Sequence, residues 1–122
     1  MSKDPLLSIL QKACKGLLFI SETEAELAPF VWDDGSELTP EHLLKLADAE
    51  QGTPIETMDL PAFFRAVSKE DKPKFDALTK VLKENLSGIK VYKLGEVSLK
   101  VFIVGKTNDG KWGGVQTEVV ET

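Results

Sequence analysis

Residues 90–122, KVYKLGEVSLKVFIVGKTNDGKWGGVQTEVVET, contain the pattern that decides the fold of this chain. Apolar side chains recur at every second position from Val97 to Ile103, with Ser98 and Lys100 between them. This alternation is typical of a strand with one face buried and the other in water. We therefore expect a sheet that includes this strand to organise the core.

The segments on either side of this strand predict its neighbours in the sheet. Residues Asn108 to Gly110 tolerate the positive φ of a tight reversal, so the apolar run Val115–Val120 is expected to return as the second strand of a hairpin. Upstream, Val91–Leu94 predicts another strand, which turns at Gly95-Glu96. The sequence therefore predicts a three-strand antiparallel meander against which the earlier elements pack.

Length and composition predict one globular domain, residues 1–122. The chain has 122 residues, of which 42% are hydrophobic and 29% charged, the balance of an ordinary soluble globule. Its single cysteine, Cys14, excludes an internal disulfide and is typical of a reducing compartment. The sequence shows neither a leader pattern nor an apolar run of about 18 residues, so we expect a cytoplasmic protein without membrane association.

Charge is distributed unevenly along the chain. Residues 1–61 hold 12 acidic residues and 4 lysines, a net charge of −8, whereas residues 62–122 have a net charge of +3, which gives −5 for the whole. An acidic half is repelled by nucleic acid, so we expect no direct nucleic-acid binding and favour a basic protein partner. Acidity that only maintains solubility is the simpler explanation of the same distribution.

Upstream of the meander, helix and strand patterns alternate. The spacing of apolar residues predicts a helix over Leu6–Lys15, and the run Leu17–Ile20 is expected to be buried beneath the sheet. Strands are predicted at Pro29–Trp32 and Ile55–Met58. A second helix is expected to open at Thr39, a good N-cap residue followed by proline.

Two more helices precede the meander. Asp59 is expected to cap one that runs to Val67. After the charged connection Lys69–Pro73, apolar side chains spaced by three and four residues predict the clearest helix of the chain, with one stripe facing the sheet, at Phe75, Leu78, Leu82 and Leu86.

The element order predicts an α+β protein. Its helices are too numerous for one face of a sheet, so we predict a three-layer α/β/α sandwich around a mixed, largely antiparallel sheet. The alternative is a two-layer fold in which all helices lie on one side of the sheet and the other sheet face is exposed to solvent. Four polar residues of the meander support that alternative: Lys93, Lys100, Gln116 and Glu118.

Nothing in the sequence predicts catalysis. His42, the only histidine, has no nearby nucleophile motif and is interpreted as a residue on a helix surface. Cys14 is interpreted as a small buried hydrophobic residue, and one histidine with one cysteine cannot supply the usual zinc ligands. Gly113-Gly114 lies within a predicted strand and indicates a bulge or close packing. Acid–base chemistry by paired carboxylates stays open as the weakest alternative.

A short acidic segment is the first candidate binding feature. In an extended backbone, Glu22, Glu24 and Glu26 project to one side about 7 Å apart, as oxygen ligands suited to Mg²⁺ or a basic cleft. The spacing favours a competing interpretation, a capping box in which Ser21 and Glu24 satisfy backbone donors at the start of a helix. The second candidate is Thr122, whose hydroxyl and terminal carboxylate follow a predicted strand.

Four segments resemble a known family: Gly16–Glu24, Phe63-Phe64, Val91–Val97 and Val119–Thr122. In this order, over nearly the whole chain, they resemble the nuclease A inhibitor (NuiA)-like family, whose members inhibit sugar-non-specific ββα-metal nucleases. The resemblance implies an α/β/α sandwich similar to the plant PR-1 proteins. It also implies a bacterial inhibitor that is not an enzyme and holds no metal or cofactor of its own.

The resemblance also implies a partner and binding residues. The partner would be a basic, metal-dependent nuclease that cleaves DNA and RNA with Mg²⁺. By position, Glu22 and Thr122 would enter its active site and approach the metal, with Glu24 as a further partner-binding residue. Their oxygens would imitate those of phosphate, and opposite charge would steer association.

One segment departs from the family pattern. Where the family has an acidic insertion with a tryptophan that contacts the nuclease, this chain has only Ser68–Lys74, which is short and rich in lysine. This predicts either a different nuclease or another partner for the same scaffold. Trp32 and Trp112 are available as replacement anchors, but core packing is the expected role of both.

Overall fold

The computed structural model of the protein describes residues 5–20, 24–32, 36–65 and 67–120. The helices are α1 (Pro5–Cys14), α2 (Pro40–Leu46), α3 (Leu60–Phe64) and α4 (Lys72–Asn85). The strands are β1 (Leu18–Ile20), β2 (Glu24–Glu26), β3 (Ala28–Trp32), β4 (Ile55–Met58), β5 (Ser87–Leu94), β6 (Ser98–Lys106) and β7 (Trp112–Val120). The predicted α+β class is confirmed.

The predicted meander is present as β5, β6 and β7. Phe102 of β6 lies opposite Tyr92 on one side and Gln116 on the other, in antiparallel register. At the β6–β7 turn, the backbone N–H of Thr107 donates to the carbonyl oxygen of Lys111 at 2.8 Å. The three strands therefore form the centre of the sheet.

The last strand, β7, begins at Trp112, before the apolar run Val115–Val120, and it includes Gly113 and Gly114 as predicted. A Cβ atom on Gly114 would overlap the carbonyl oxygen of Ile103 in the neighbouring strand. Only glycine lets the two backbones approach this closely. The predicted close packing at this glycine pair is confirmed.

The five-stranded sheet has the order β3-β7-β6-β5-β4, so both predicted upstream strands lie at its edges. All neighbouring strands in it are antiparallel. The prediction of a mixed sheet was wrong for the described strands, because none of them forms a parallel pair. Tight turns make β5, β6 and β7 antiparallel, and the two edge strands continue the alternation.

The first two helices follow their sequence signals. α1 spans nearly the predicted range, and α2 starts after Thr39, whose hydroxyl oxygen accepts a hydrogen bond from the backbone N–H of His42 at 3.2 Å. Pro40 occupies the first turn of α2, where a missing N–H costs nothing. No helix in the described part of the chain is long and apolar enough to cross a membrane.

The third helix is shorter than predicted. α3 ends at Phe64 rather than at Val67, and Asp59 precedes it without making a side-chain cap. The Asp59 carboxylate instead accepts a hydrogen bond from the ammonium group of Lys90 in β5, at 3.1 Å. A tertiary ion pair therefore replaces the local cap.

The core is divided between the two faces of the sheet, as the alternation along β6 requires. One cluster, the first core, joins β6 residues such as Val101 to apolar residues of α1, α3 and α4. The other, the second core, joins Phe102 to residues of α2 and includes Leu43 and Leu44. The apolar stripe of α4 is buried as predicted, at Phe75, Leu78, Leu82 and Leu86.

The face that holds the second core is only partly covered. Phe30, Phe102 and Trp32 pack there as an aromatic group, with ring centroids 4.5 to 5.7 Å apart. Farther along the same face, Lys100 and Glu118 lie opposite each other and are exposed. Part of this face is therefore open to water next to the last residues of β7.

Candidate functional site

β1 and β2 form a separate two-stranded antiparallel hairpin, which is the candidate site. Leu18 lies opposite Glu26, and Ile20 lies opposite Glu24. Directly opposed residues share a face of an antiparallel pair, so these side chains form one surface, here called the outer face of the hairpin. Phe19 lies between Leu18 and Ile20 in sequence and points the other way.

Phe19 fixes the hairpin to the first core. It is buried, its ring stacks on Phe63 with centroids 4.5 Å apart and an interplanar angle of 6°, and it meets Phe75 edge-on at 6.2 Å. Because Phe19 must point inward, the alternation of the strand turns Leu18 and Ile20 outward. The anchor thus determines which side of the hairpin faces solvent.

The outer face combines apolar and acidic side chains. Ile20 is 55% and Leu18 is 38% exposed, although the sequence predicted burial for the whole run Leu17–Ile20. That prediction was wrong for these two residues. In a run of consecutive apolar residues, the sequence does not show which side chains of a strand face the core and which face water. Glu24 and Glu26 are also exposed. An exposed apolar pair beside carboxylates is a feature of protein-binding surfaces.

The capping-box interpretation of Ser21 and Glu24 was wrong. Glu24 belongs to a strand that pairs with β1, so no helix begins after Ser21. The extended alternative is correct for the described pair Glu24 and Glu26, which lie on the same face. Ser21 lies outside the described residues.

The hairpin lies beside the last strand of the sheet. Thr117 donates its hydroxyl hydrogen to the carbonyl oxygen of Glu26 at 3.0 Å. The next residues along the chain continue this arrangement, since Ala28 of β3 pairs with Gln116 in antiparallel register. β2 therefore lies beside the final part of β7 and runs in the opposite direction. Ile20 and Glu24, at one end of the described hairpin, therefore lie towards the carboxyl end of β7.

A shallow depression of about 520 Å³ lies between the hairpin and the open part of the second sheet face. Glu24, Glu26 and Glu118 line it, together with Lys100. Three carboxylates against one ammonium group give this region a negative potential, which attracts a cationic surface. No group of three histidine, cysteine, aspartate or glutamate side chains in the described ranges is arranged to hold a metal ion.

The predicted site residues differ in what the structure says of them. Glu24 lies on the outer face of the hairpin. Glu22 and Thr122 lie outside the described residues. In sequence, Glu22 falls between β1 and β2, and Thr122 follows β7. Leu18 and Ile20 were missed as site residues, and the only sequence signal was their two-residue spacing around Phe19.

The remaining candidates for chemistry have structural roles. Cys14 is buried, and burial raises the pKa of its thiol to about 11, so it is protonated at neutral pH. Trp32 and Trp112 pack against the second core, as predicted. The indole N–H of Trp112 also donates to the backbone carbonyl of Ser36 at 2.7 Å.

The fold and the hairpin define a small α+β protein whose candidate site is an acidic, partly apolar surface rather than an enclosed cavity. The chain belongs to the nuclease A inhibitor-like protein family, since the model of that family, NuiA, matches residues 4–122. The resemblance noted in the sequence is thus confirmed over nearly the whole chain. No curated protein matches the chain.

Proposed function

We propose that this protein inhibits a metal-dependent, sugar-non-specific nuclease by occupying its active site. The observation that carries the proposal is the exposed acidic hairpin beside the end of β7, in a chain of the nuclease A inhibitor-like family. We propose that Glu22, Glu24 and Thr122 are the partner-binding residues. The protein carries out no chemistry and occupies the place where chemistry would happen.

Charge explains why such a surface suits a nuclease. A nuclease cleft is basic and holds a hard cation because its substrate is a chain of phosphates. Carboxylate oxygens of Glu22 and Glu24, together with the side-chain oxygen of Thr122, substitute for phosphate oxygens there. Leu18 and Ile20 add apolar contact area around the acidic group. The inhibitor needs no metal of its own, since the partner supplies it.

The family resemblance also underlies two finer parts of the proposal. We propose that the sheet and helices form a three-layer α/β/α sandwich of the PR-1-like type. The three-layer arrangement is supported by the two separate cores, one with α1, α3 and α4 and the other with α2. We also propose that the protein acts in the bacterial cytoplasm, which the single cysteine supports.

A second candidate function is a non-catalytic module that binds another protein. The observation that favours it is the Ser68–Lys74 connection, which is short and lysine-rich where the family has an acidic, aromatic insertion. A partner that binds this connection would differ from a nuclease that requires the insertion. The two candidates predict opposite results in one assay.

That assay is inhibition of plasmid cleavage. The purified protein is titrated into a ββα-metal nuclease encoded in the same genome, with saturating Mg²⁺, beside the variants Glu22→Ala and a deletion of Thr122. We expect complete inhibition near equimolar protein, and weaker inhibition by both variants. Glu84→Ala, which removes an exposed carboxylate from α4, is the matched control and should inhibit as the wild type does.

Two outcomes separate the parts of the proposal. If wild-type protein in large molar excess leaves cleavage unchanged, the inhibitor function is wrong and the binding-module alternative is favoured. If both site variants inhibit as well as wild type, the function holds and the assignment of Glu22 and Thr122 is wrong.

A further inference from the structure

A groove of about 460 Å³ between α3 and α4, here called the α3–α4 groove, lies outside the hairpin site. Its floor is apolar and consists mainly of Phe64, Val67 and Phe75. The rings of Phe64 and Phe75 meet at 65°, with centroids 5.1 Å apart, and Phe64 also contacts Phe63. Because these rings are held by core packing, the floor exists without a ligand.

The rim of the groove is cationic. Arg65, Lys69 and Lys72 stand around the floor, and Asp76 is the one acidic side chain among the described residues that line it. None of the three cations forms an ion pair within the described ranges. These three cations lie in residues 62–122, the half of the chain whose net charge is +3. Three exposed cations around an apolar floor attract a ligand of opposite charge.

The two acidic residues between Lys69 and Lys72 in the sequence, Glu70 and Asp71, do not line the groove. The carboxylate of Asp71, just before α4, accepts a hydrogen bond from the hydroxyl of Ser68 at 3.2 Å. Asp71 lines a smaller neighbouring depression rather than the groove itself. The groove lining therefore keeps a net charge of +2 from its three cations and Asp76.

We propose that the α3–α4 groove binds an acidic segment of a partner protein. The segment places one aromatic or branched aliphatic side chain over Phe64, and its flanking carboxylates pair with Arg65 and the two lysines. Arginine and carboxylate form paired, charge-assisted hydrogen bonds, and the apolar floor supplies the burial that surface ion pairs alone lack.

A protein segment fits this groove better than a nucleic acid does. Phe75 is only 2% exposed, so Phe64 is the one aromatic ring of the described floor that a ligand can reach, and successive bases would have no second ring on which to stack. The acidic outer face of the hairpin is also close by. A depression of about 140 Å³ lined by Leu18 and Ile20 shares Val67 and Phe75 with the groove region. A polyphosphate chain leaving the groove on this side would meet carboxylates.

This inference does not rest on the proposed nuclease inhibition. The groove and the hairpin have opposite charge, so they select opposite partners. A nuclease is attracted to the hairpin, whereas the groove requires carboxylates. Either proposal, the acidic peptide in the groove or the nuclease at the hairpin, can therefore be wrong while the other is correct.

The test starts from selection without a presumed partner. A random 12-residue peptide display library is selected against the immobilised full chain, and the most enriched peptide is synthesised. We expect peptides with several Asp or Glu residues around one Phe, Trp, Leu or Ile. Added to ¹⁵N-labelled protein, this peptide should shift amide resonances of residues 64, 65, 67–69 and 72 and leave those of residues 24–26 in place.

Charge-reversal variants give the decisive comparison. The triple variant Arg65→Glu, Lys69→Glu, Lys72→Glu should weaken peptide binding at least about tenfold. Lys74→Glu is the control for one charge reversal outside the groove, because about 100° per residue places Lys74 on the side of α4 opposite Lys72. The control should change binding less than about twofold. Circular dichroism of each variant establishes that it is folded.

Several results would overturn the inference. Selection that yields no acidic and apolar consensus contradicts it, as does binding that the triple variant and Lys74→Glu weaken equally. If inorganic phosphate or a short oligothymidylate shifts the same amides at lower concentration than the peptide does, the groove is an anion or nucleic-acid site. Shifts confined to residues 18–26 would assign the peptide to the hairpin instead.

Discussion

The hydroxyl of Thr117 donates a hydrogen bond to the backbone carbonyl oxygen of Glu26, with 3.0 Å between the two oxygens. Thr117 is 6% exposed and lies opposite Val101 of the first core, so this bond satisfies a hydroxyl whose burial would otherwise cost free energy. It joins the two-stranded hairpin to the last strand of the five-stranded sheet. The position of the acidic outer face relative to the end of β7 depends on this bond and on the Phe19 anchor.

Replacing Thr117 with valine should loosen the hairpin. The substitution keeps the branched shape but removes the donor to Glu26, so we expect the free energy of unfolding to fall by about 1 kcal/mol. Amide hydrogen exchange of residues 18–26 should accelerate more than that of the meander. Thr117→Ser retains the hydroxyl and should keep the slower exchange. Equal exchange in the valine variant and the wild type would contradict a role for this bond.

Gly114→Ala should be among the most damaging single substitutions. The added Cβ would overlap the carbonyl oxygen of Ile103, which forces β6 and β7 apart at the centre of the sheet. We expect a loss of more than about 3 kcal/mol in urea unfolding, or no folded protein. Gly110→Ala is the comparison: its φ is +79°, but a Cβ there meets nothing within 4 Å. Its cost should be only about 1 kcal/mol.

Glu24→Lys should slow association with the nuclease partner. It reverses a charge on the outer face of the hairpin, so we expect the association rate constant to fall by about tenfold at low salt and the salt dependence to weaken. Stopped-flow fluorescence measures both. Glu84→Lys makes the same change of charge on α4 and separates local contact from net charge. If the two variants slow association equally, only net charge matters and the hairpin is not the contact.

The stability contributed by Cys14 should depend on pH. Burial raises the pKa of its thiol from 9.0 to about 11, so the thiolate forms more readily in the unfolded chain. The stabilising effect is therefore complete below about pH 9 and is lost as the pH rises toward 11. The difference in unfolding free energy between wild type and Cys14→Ala should be larger at pH 7 than at pH 10.5.

A chemical measurement checks the same thiol independently. At pH 8, a disulfide reagent should modify Cys14 far more slowly in the folded protein than in urea, because the thiolate is scarce and the sulfur is buried. Equal rates in the two states would show that the thiol is accessible and would remove the basis for the pH prediction.

Much of the fold could be predicted where local signals and packing agree. The period-two pattern from Leu99 to Ile103 predicted β6, and the Thr39-Pro40 pair predicted the start of α2. The stripe that includes Leu78 and Leu82 predicted the buried face of α4. In each case the same residues that favour the element also form its contact with the core.

The candidate site was predicted less completely, for a physical reason. Ser21 to Glu24 fits a capping box, yet Glu24 pairs with Ile20 in a strand. Likewise, Asp59 has the chemistry of a helix cap but its carboxylate binds Lys90, 31 residues away in the sequence. Both choices depend on partners that are distant or in another strand. A segment can therefore match a local motif and still adopt a different structure, because a tertiary contact is more favourable.

By itself, the sequence determined the central meander, the principal helices and the family, because apolar periodicity and local motifs are properties of short segments. Only the tertiary structure decided which side chains of Leu18, Phe19 and Ile20 face water. The stacking of Phe19 on Phe63 settles that choice, and the two rings come from segments far apart in the chain. Likewise, only the packing of Phe64 against Phe75 places an apolar floor beside Arg65, Lys69 and Lys72.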